Sequence, residues 1–198
     1  FKIFHLQKKN NFALLNNNFT KVFRRKKYLG RLVSIRFKDY KKIKSKIQNK
    51  YLRFNINDEN MNFVYALSKL LKIKKHSFIK SMNSFIGLPH RYEIFLKQKG
   101  ITFINDSKAT SLQATKSALS NSKNIYWILG GLPKKKDKIN LKHLRNNFIK
   151  SYIIGKNIIF FKKQLTKKVQ FSISKNLKKA IIMALKDIRL LNTSNNTI

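Results

Sequence analysis

Ile125-Tyr126-Trp127-Ile128-Leu129-Gly130-Gly131 is the stretch on which the fold turns. Five apolar residues in unbroken succession, closed by two glycines, describe a strand buried on both faces, because a half-exposed strand would alternate apolar and polar side chains. Working outward, Ile101-Thr102-Phe103-Ile104 reads as a strand, followed by a polar turn and a helix from about Leu112 to Ser120. Leu141 to Ile149 is expected to be helical and Ser151 to Gly155 to be the next buried strand. Val169 to Ser172 is a shorter strand, Leu177 to Ile188 an amphipathic helix, and Asn196-Thr197-Ile198 the start of a last strand. Strands that alternate with helices predict an α/β unit whose sheet is mostly parallel.

Upstream the pattern is weaker. Asn11 to Asn16 and Leu32 to Phe37 read as short strands, and Lys38 to Lys50 as a basic, solvated connection. From Asp58 the periodicity becomes helical, with Phe63, Ala66, Leu67, Leu70 and Leu71 on one face and Asp58 and Glu59 well placed at the helix start. A second helix over Ser77 to Phe85 runs into Gly87-Leu88-Pro89, the first clear break. A domain boundary is therefore set near Ile86, dividing residues 1–85 from 86–198.

The chain carries 45 Lys and Arg against 7 Asp and Glu, a formal charge of +38, and attracts any polyanion. Of those cations 37 are Lys and only 8 are Arg, spread along the whole sequence and accompanied by Asn and Ile. A nucleic-acid reader favours clustered Arg, whose planar fork suits phosphates and guanine edges. Codon composition accounts for the bias as well as selection for a ligand does. There are no cysteines, which removes disulfides and thiolate chemistry and fits a reducing compartment. No apolar run approaches the roughly 18 residues of a membrane helix. His5, His76, His90 and His143 have no metal-ligand spacing. Trp127 reads as core, and the Phe160-Phe161 pair as packing.

Ligands of open α/β sheets bind beyond the carboxyl ends of the strands. Two such ends are polar: Asn105-Asp106-Ser107-Lys108-Ala109-Thr110 and Gly130-Gly131-Leu132-Pro133-Lys134. A carboxylate, hydroxyls and lysines there can hold a ribose, a phosphate or a carboxylate, and glycines let backbone approach closely. The two ends are expected to lie side by side, with Asp106, Thr110 and Lys134 on a shared cleft and Arg91 at its rim. Each loop alone is equally ordinary turn and cap chemistry.

In combination, Gly87-Leu88-Pro89-His90-Arg91, Glu93, Phe103 to Thr110, Ala114-Thr115, Ala118-Leu119 and Gly130-Gly131 with Lys134 resemble the UDP-N-acetylmuramoyl-L-alanine–D-glutamate ligases of the Mur ligase family. Asn57-Asp58-Glu59-Asn60 resembles the family's His-Asn-x-x-Asn helix start, with Ile56 where His is usual, and Ser111 stands in place of a common Asn. The resemblance implies a Rossmann-like C-terminal domain preceded by an incomplete remnant of the central α/β ATP-binding domain, the last strand and its loop being cut short. It implies that Arg91, Asp106, Lys108, Asn57 and Asn60 bind ATP, and that Thr110 and Lys134 hold the carboxylates of D-glutamate. His90 belongs to the turn and is not a base. The implied chemistry phosphorylates the UDP-N-acetylmuramoyl-L-alanine carboxylate to an acyl phosphate, which the glutamate amine attacks, with ATP and Mg²⁺ as cofactors.

No G-x-x-x-x-G-K-S/T phosphate loop occurs in the sequence, and the lysine that helps hold Mg²⁺ in the family would fall just before a segment like Phe1-Lys2-Ile3-Phe4. The expectation is a piece of a monomeric cytoplasmic enzyme, with no specific nucleic acid and no membrane, that holds no complete catalytic or metal set and does not turn over alone. The alternatives are another ATP-dependent acid–amino-acid ligase of the same superfamily, or a basic nucleic-acid-binding module.

Overall fold

The computed structural model describes residues 2–198, less the side chains of Ile56 and Ser117. The readings at Phe1 and at the Ile56 side chain lie outside the described residues. The chain divides into two compact units between Ile86 and Gly87.

In the first unit Phe12–Asn16 (β1) and Arg31–Ile35 (β2) pair in parallel, joined through the helix Asn17–Arg25 (α1). Asn16 caps α1 by accepting the Asn18 N–H at 3.4 Å. Helices Phe37–Lys44 (α2), Lys50–Arg53 (α3), Asp58–Leu70 (α4) and Lys75–Ser84 (α5) follow. Tyr40, Ile43, Ile47, Leu52, Met61 and Phe78 form a buried cluster among them.

Two expectations fail here. The basic segment is helix α2 as far as Lys44, not a loop, because Tyr40 and Ile43 fall at helical spacing and are buried, and Ile47 is buried in the turn that follows. Three apolar residues sufficed to fold a stretch in which every other side chain is exposed or partly so. Helix α4 does start at Asp58, but it buries Met61, Asn62 and Ser68, while Leu67 and Leu71 of the expected core face stay exposed and Phe63, Ala66 and Leu70 are only partly buried. The neighbours of α4 include α2, α3 and the small β1–β2 pair. They cover one side of the helix, and its second apolar stripe faces outward.

The second unit is built on six strands: Glu93–Gln98 (β3), Ile101–Asn105 (β4), Ile125–Gly130 (β5), Phe148–Ile154 (β6), Phe171–Ile173 (β7) and Asn196–Thr197 (β8), in the order β3-β4-β8-β5-β6-β7. All pairings are parallel except the β3–β4 hairpin. Helices Leu112–Ser120 (α6), Ile158–Leu165 (α7) and Leu177–Leu191 (α8) link the strands. The apolar run of β5 splits between two cores. Ile125, Trp127 and Leu129 pack with Leu112, Leu119, Phe161 and Leu165 on one face. Tyr126 joins Tyr152, Ala180, Ala184 and Ile188 of the α8 face on the other. This is the mostly parallel, Rossmann-like α/β layering expected from the sequence.

The helix expected over Leu141 to Ile149 is absent. Leu141 and Leu144 are buried one turn apart, a short 3-10 turn covers Arg145–Asn147, and Phe148 already pairs with Ile125 of β5. Asn147 Nδ2 donates to Leu119 O at 3.0 Å and holds the turn against α6. The gain from ladder pairing in a buried sheet outweighs the weak local helix preference. Strand β3 and helices α1 and α7 were not expected. β3 carries Ile94, Phe95 and Leu96 exposed, so periodicity gives it no signature.

Two features of this unit yield predictions. A Cβ at Gly130 would collide with the Ile154 carbonyl oxygen and lie 3.0 Å from its carbon, at the last pair of the β5–β6 ladder. Gly130→Ala is expected to destabilise the unit by about 1–3 kcal/mol in denaturant unfolding, and an unchanged midpoint would refute the close approach. On the α8 face, Asp187 Oδ2 accepts Lys150 Nζ at 2.8 Å and Tyr152 Oη at 2.7 Å. Burial raises the Asp187 carboxyl, but those two donors outweigh it and hold it below the usual carboxylate range. A depressed folded-state carboxylate contributes stability above its unfolded value and loses it as pH falls through the folded one. Asp187→Asn is therefore expected to cost about 1–3 kcal/mol at neutral pH and to flatten the acid limb of the stability profile, read by thermal melts from pH 7 to pH 2.

Candidate functional site

The turn Gly87-Leu88-Pro89-His90-Arg91 and the loop Asn105 to Thr110 are knotted together. Lys108 N–H donates to His90 O at 3.0 Å, Tyr92 N–H donates to Asp106 Oδ1 at 2.9 Å, and Asn105 Nδ2 lies 2.7 Å from His90 Nδ1. The turn reaches this shape through left-handed backbone at Gly87 (φ 94°), His90 (φ 63°) and Tyr92 (φ 48°). Two of these are not glycine, so each adds strain of order 1 kcal/mol that the cross-links must offset. Tyr92 is tied further by its hydroxyl, 3.1 Å from Ser122 Oγ. Arg91, Asp106 and Lys108 are thus brought into one neighbourhood. Arg91 and Lys108 present exposed side chains and Asp106 is half-buried. Burial pushes the Asp106 carboxyl up, opposed by the Tyr92 amide and by the Arg91 charge. What remains is an acceptor carboxylate flanked by cations, suited to hydroxyls and to anionic oxygens.

The β5 exit forms the second loop. Gly131 adopts φ 107°, and its carbonyl accepts Asn157 Nδ2 at 2.8 Å. Lys134 O accepts Asp137 N–H at 3.0 Å, closing a turn over Lys134 to Asp137. The Asp137 carboxylate then takes the Leu112 N–H, at 2.8 and 3.1 Å, at the first residue of α6. This bond staples the Lys134 loop to the segment that begins at Thr110. Thr110 and Lys134 are both exposed.

The ends of β4 and β5 are not neighbours in the sheet, contrary to expectation. Strand β8 lies between them, and Ile104 N–H donates to Ile198 O at 2.8 Å. The tips are therefore two strand spacings apart, roughly 10 Å. Only three residues at the end of the chain produce this, too short a stretch for pairing order to be read from its pattern. Asn57 and Asn60 belong to the other unit. Asn57 Nδ2 donates to Tyr51 O at 2.7 Å, holding the start of α4, and Asn60 is exposed in its first turn. Two surface hollows, of about 270 and 370 Å³, lie elsewhere, around Phe23 and Tyr28 and around the β3–β4 turn.

Sequence reading missed Asp137, Tyr92 and Asn157. Asp137 left a usable signal: it is one of 7 acids in a chain of 45 cations, set inside a run of lysines. Tyr92 and Asn157 act through local backbone geometry, which spacing does not disclose. Among the described residues no group of three or more His, Asp or Glu stands close enough to hold a metal ion. No helix among them is long and apolar enough to cross a membrane.

No protein-family model matches the chain. It is similar to the UDP-N-acetylmuramoylalanine–D-glutamate ligase of Rickettsia felis, 34% identical over 70% of this chain and 31% of the relative. The same enzyme of Wolbachia sp. subsp. Brugia malayi is 35% identical over 66% of this chain and 26% of its own length. That of Rhizobium meliloti is 35% identical over 69% and 29%. The chain spans about a third of the length of these curated relatives. A solved murein peptide ligase from Psychrobacter arcticus aligns at a TM-score of 0.42 with 12% identity, over 71% of this chain and 33% of that one, a likeness too distant to bear on function. With about a third of its positions identical across two thirds of its length, the chain is similar to one stretch of the UDP-N-acetylmuramoylalanine–D-glutamate ligases, of which it covers less than a third.

Proposed function

We propose that this chain contributes one wall of the active site of an ATP-dependent ligase that adds D-glutamate to UDP-N-acetylmuramoyl-L-alanine in peptidoglycan synthesis. The observation that carries the proposal is the hydrogen-bonded junction of the Arg91 turn with the Asp106 loop. It gathers an acid and two cations at the carboxyl end of a strand in an open α/β sheet. Residues 1–85 are read as a remnant of the family's central ATP-binding domain and 86–198 as its glutamate-binding domain.

In this reading the Asp106 carboxylate accepts ribose hydroxyls through the oxygen that Tyr92 leaves open. The Arg91 guanidinium faces phosphate oxygens with its planar fork, and Lys108 adds a point charge beside them. Asn57 and Asn60 contact the adenine side. Thr110 offers a hydroxyl and Lys134 an ammonium to the glutamate carboxylates. The γ-phosphoryl group passes from ATP to the sugar-alanine carboxylate, releasing ADP. The glutamate amine then attacks the acyl carbon, expels phosphate and loses a proton. Mg²⁺, when bound, neutralises charge on the phosphoryl group; no metal cluster stands among the described residues, so no step is assigned to them through it. What these residues do is bind, orient and compensate charge. The chain by itself is expected to bind nucleotide weakly and not to turn over.

Calorimetric titration with Mg·ATP and with D-glutamate separates the assigned roles. Asp106→Ala and Arg91→Ala are each expected to weaken nucleotide binding about tenfold, the scale of one lost charge-assisted hydrogen bond, and to leave glutamate binding alone. Thr110→Ala and Lys134→Ala should do the reverse. Equal affinity for L- and D-glutamate would defeat the substrate assignment. Because burial raises Asp106, its share of nucleotide affinity is expected to be lost at a higher pH than for a surface carboxylate.

The +38 charge supports a second, weaker reading as a nucleic-acid binder. RNA affinity that is indifferent to sequence and falls steeply with salt would mark only the lysine field. Tight binding that survives substitution of Asp106 and Arg91 would favour it over the ligase.

A further inference from the structure

His90 makes two of the bonds that join the Arg91 turn to the Asp106 loop, and its ring has only one protonation state compatible with them. Asn105 Oδ1 accepts Ser107 N–H at 3.1 Å. A backbone N–H can only donate, so it fixes the amide oxygen there and turns the amide nitrogen toward His90 Nδ1, 2.7 Å away. An amide NH₂ also only donates, so Nδ1 must present a lone pair. The imidazole is then neutral, with its proton on Nε2. The backbone N–H of His90 donates to Glu93 Oε2 at 2.8 Å, and that same oxygen lies 3.6 Å from Nδ1.

We infer that His90 is a positioning residue for the nucleotide site. As a neutral acceptor it clips the Gly87 to Arg91 turn onto the Asn105 to Lys108 loop, and so fixes the Arg91 guanidinium relative to the Asp106 carboxylate. The inference rests on the nucleotide reading above. The backbone of His90 is left-handed, φ 63°, a conformation that glycine and asparagine adopt readily. Two substitutions therefore separate the acceptor from the backbone. His90→Asn keeps an acceptor near the Nδ1 position, and His90→Gly keeps only the backbone freedom.

The test uses the ¹⁵N-labelled 198-residue chain. Imidazole nitrogen shifts at pH 8 are expected to show His90 with Nδ1 unprotonated and Nε2 protonated. Mg·ATP affinity should fall about threefold to tenfold in His90→Gly, the worth of roughly one hydrogen bond. It should stay within about twofold of the parent in His90→Asn. A proton on Nδ1 at pH 8, or parent-like affinity in His90→Gly, overturns the positioning role while leaving the nucleotide reading intact. Absence of Mg·ATP binding by the parent chain overturns the nucleotide reading and the positioning role with it.

Discussion

Strand β5 is the element on which the second unit depends, because it must be dry on both faces at once. Ile125, Trp127 and Leu129 point into the α6–α7 core while Tyr126 points into the α8 core. Backbone groups so enclosed have no water to bond with and must be satisfied by neighbouring strands. β6 supplies that along its length, with Gly130 letting Ile154 approach at the far end. β8 supplies it at the near end, through Thr197 N–H to Asn124 O at 3.2 Å. The binding loops inherit their positions from this constraint, since each leaves the sheet where a buried strand ends.

Scarcity of anions is the second organising fact. With 7 carboxylates against 45 cations, each acid that persists has a definite engagement. Asp39 meets Lys69, Asp58 meets Lys44, and Asp187 meets Lys150 and Tyr152. Glu59 accepts the Asn16 amide. Glu93, Asp106 and Asp137 instead take backbone N–H groups at the loops of the candidate site. The exposed pair Asp39–Lys69 contributes little in water. The three carboxylates on backbone amides differ in kind: they fix the course of the chain around Arg91, Thr110 and Lys134 rather than attracting a mobile side chain. Three of seven acids are thus spent on shaping two loops in a molecule that could have neutralised far more lysines with them.

Much of this was legible in the order of residues. The unbroken apolar run of β5, the α6 and α8 patterns and the Gly87 break are local signals, and the structure has them within a few residues. The candidate residues Arg91, Asp106 and Lys108 were legible as a motif, and Lys134 through the glycines before it. Less visible was anything carried by very few residues. Helix α2 rests on two buried side chains in a lysine-rich stretch, and the 3-10 turn at Arg145 yields to a ladder that begins at Phe148.

By itself the sequence determined the α/β class, the parallel sheet, the division near Ile86 and the polar character of two strand ends, because burial periodicity and glycine conformations are properties of short windows. Tertiary structure alone decided that β8 separates β4 from β5, that Asp137 bridges the gap to α6, and that His90 faces Asn105 with a lone pair. Those are pairings between residues far apart in the chain. They are selected by which backbone and side-chain donors remain unsatisfied once the sheet has closed, and no local pattern encodes that remainder.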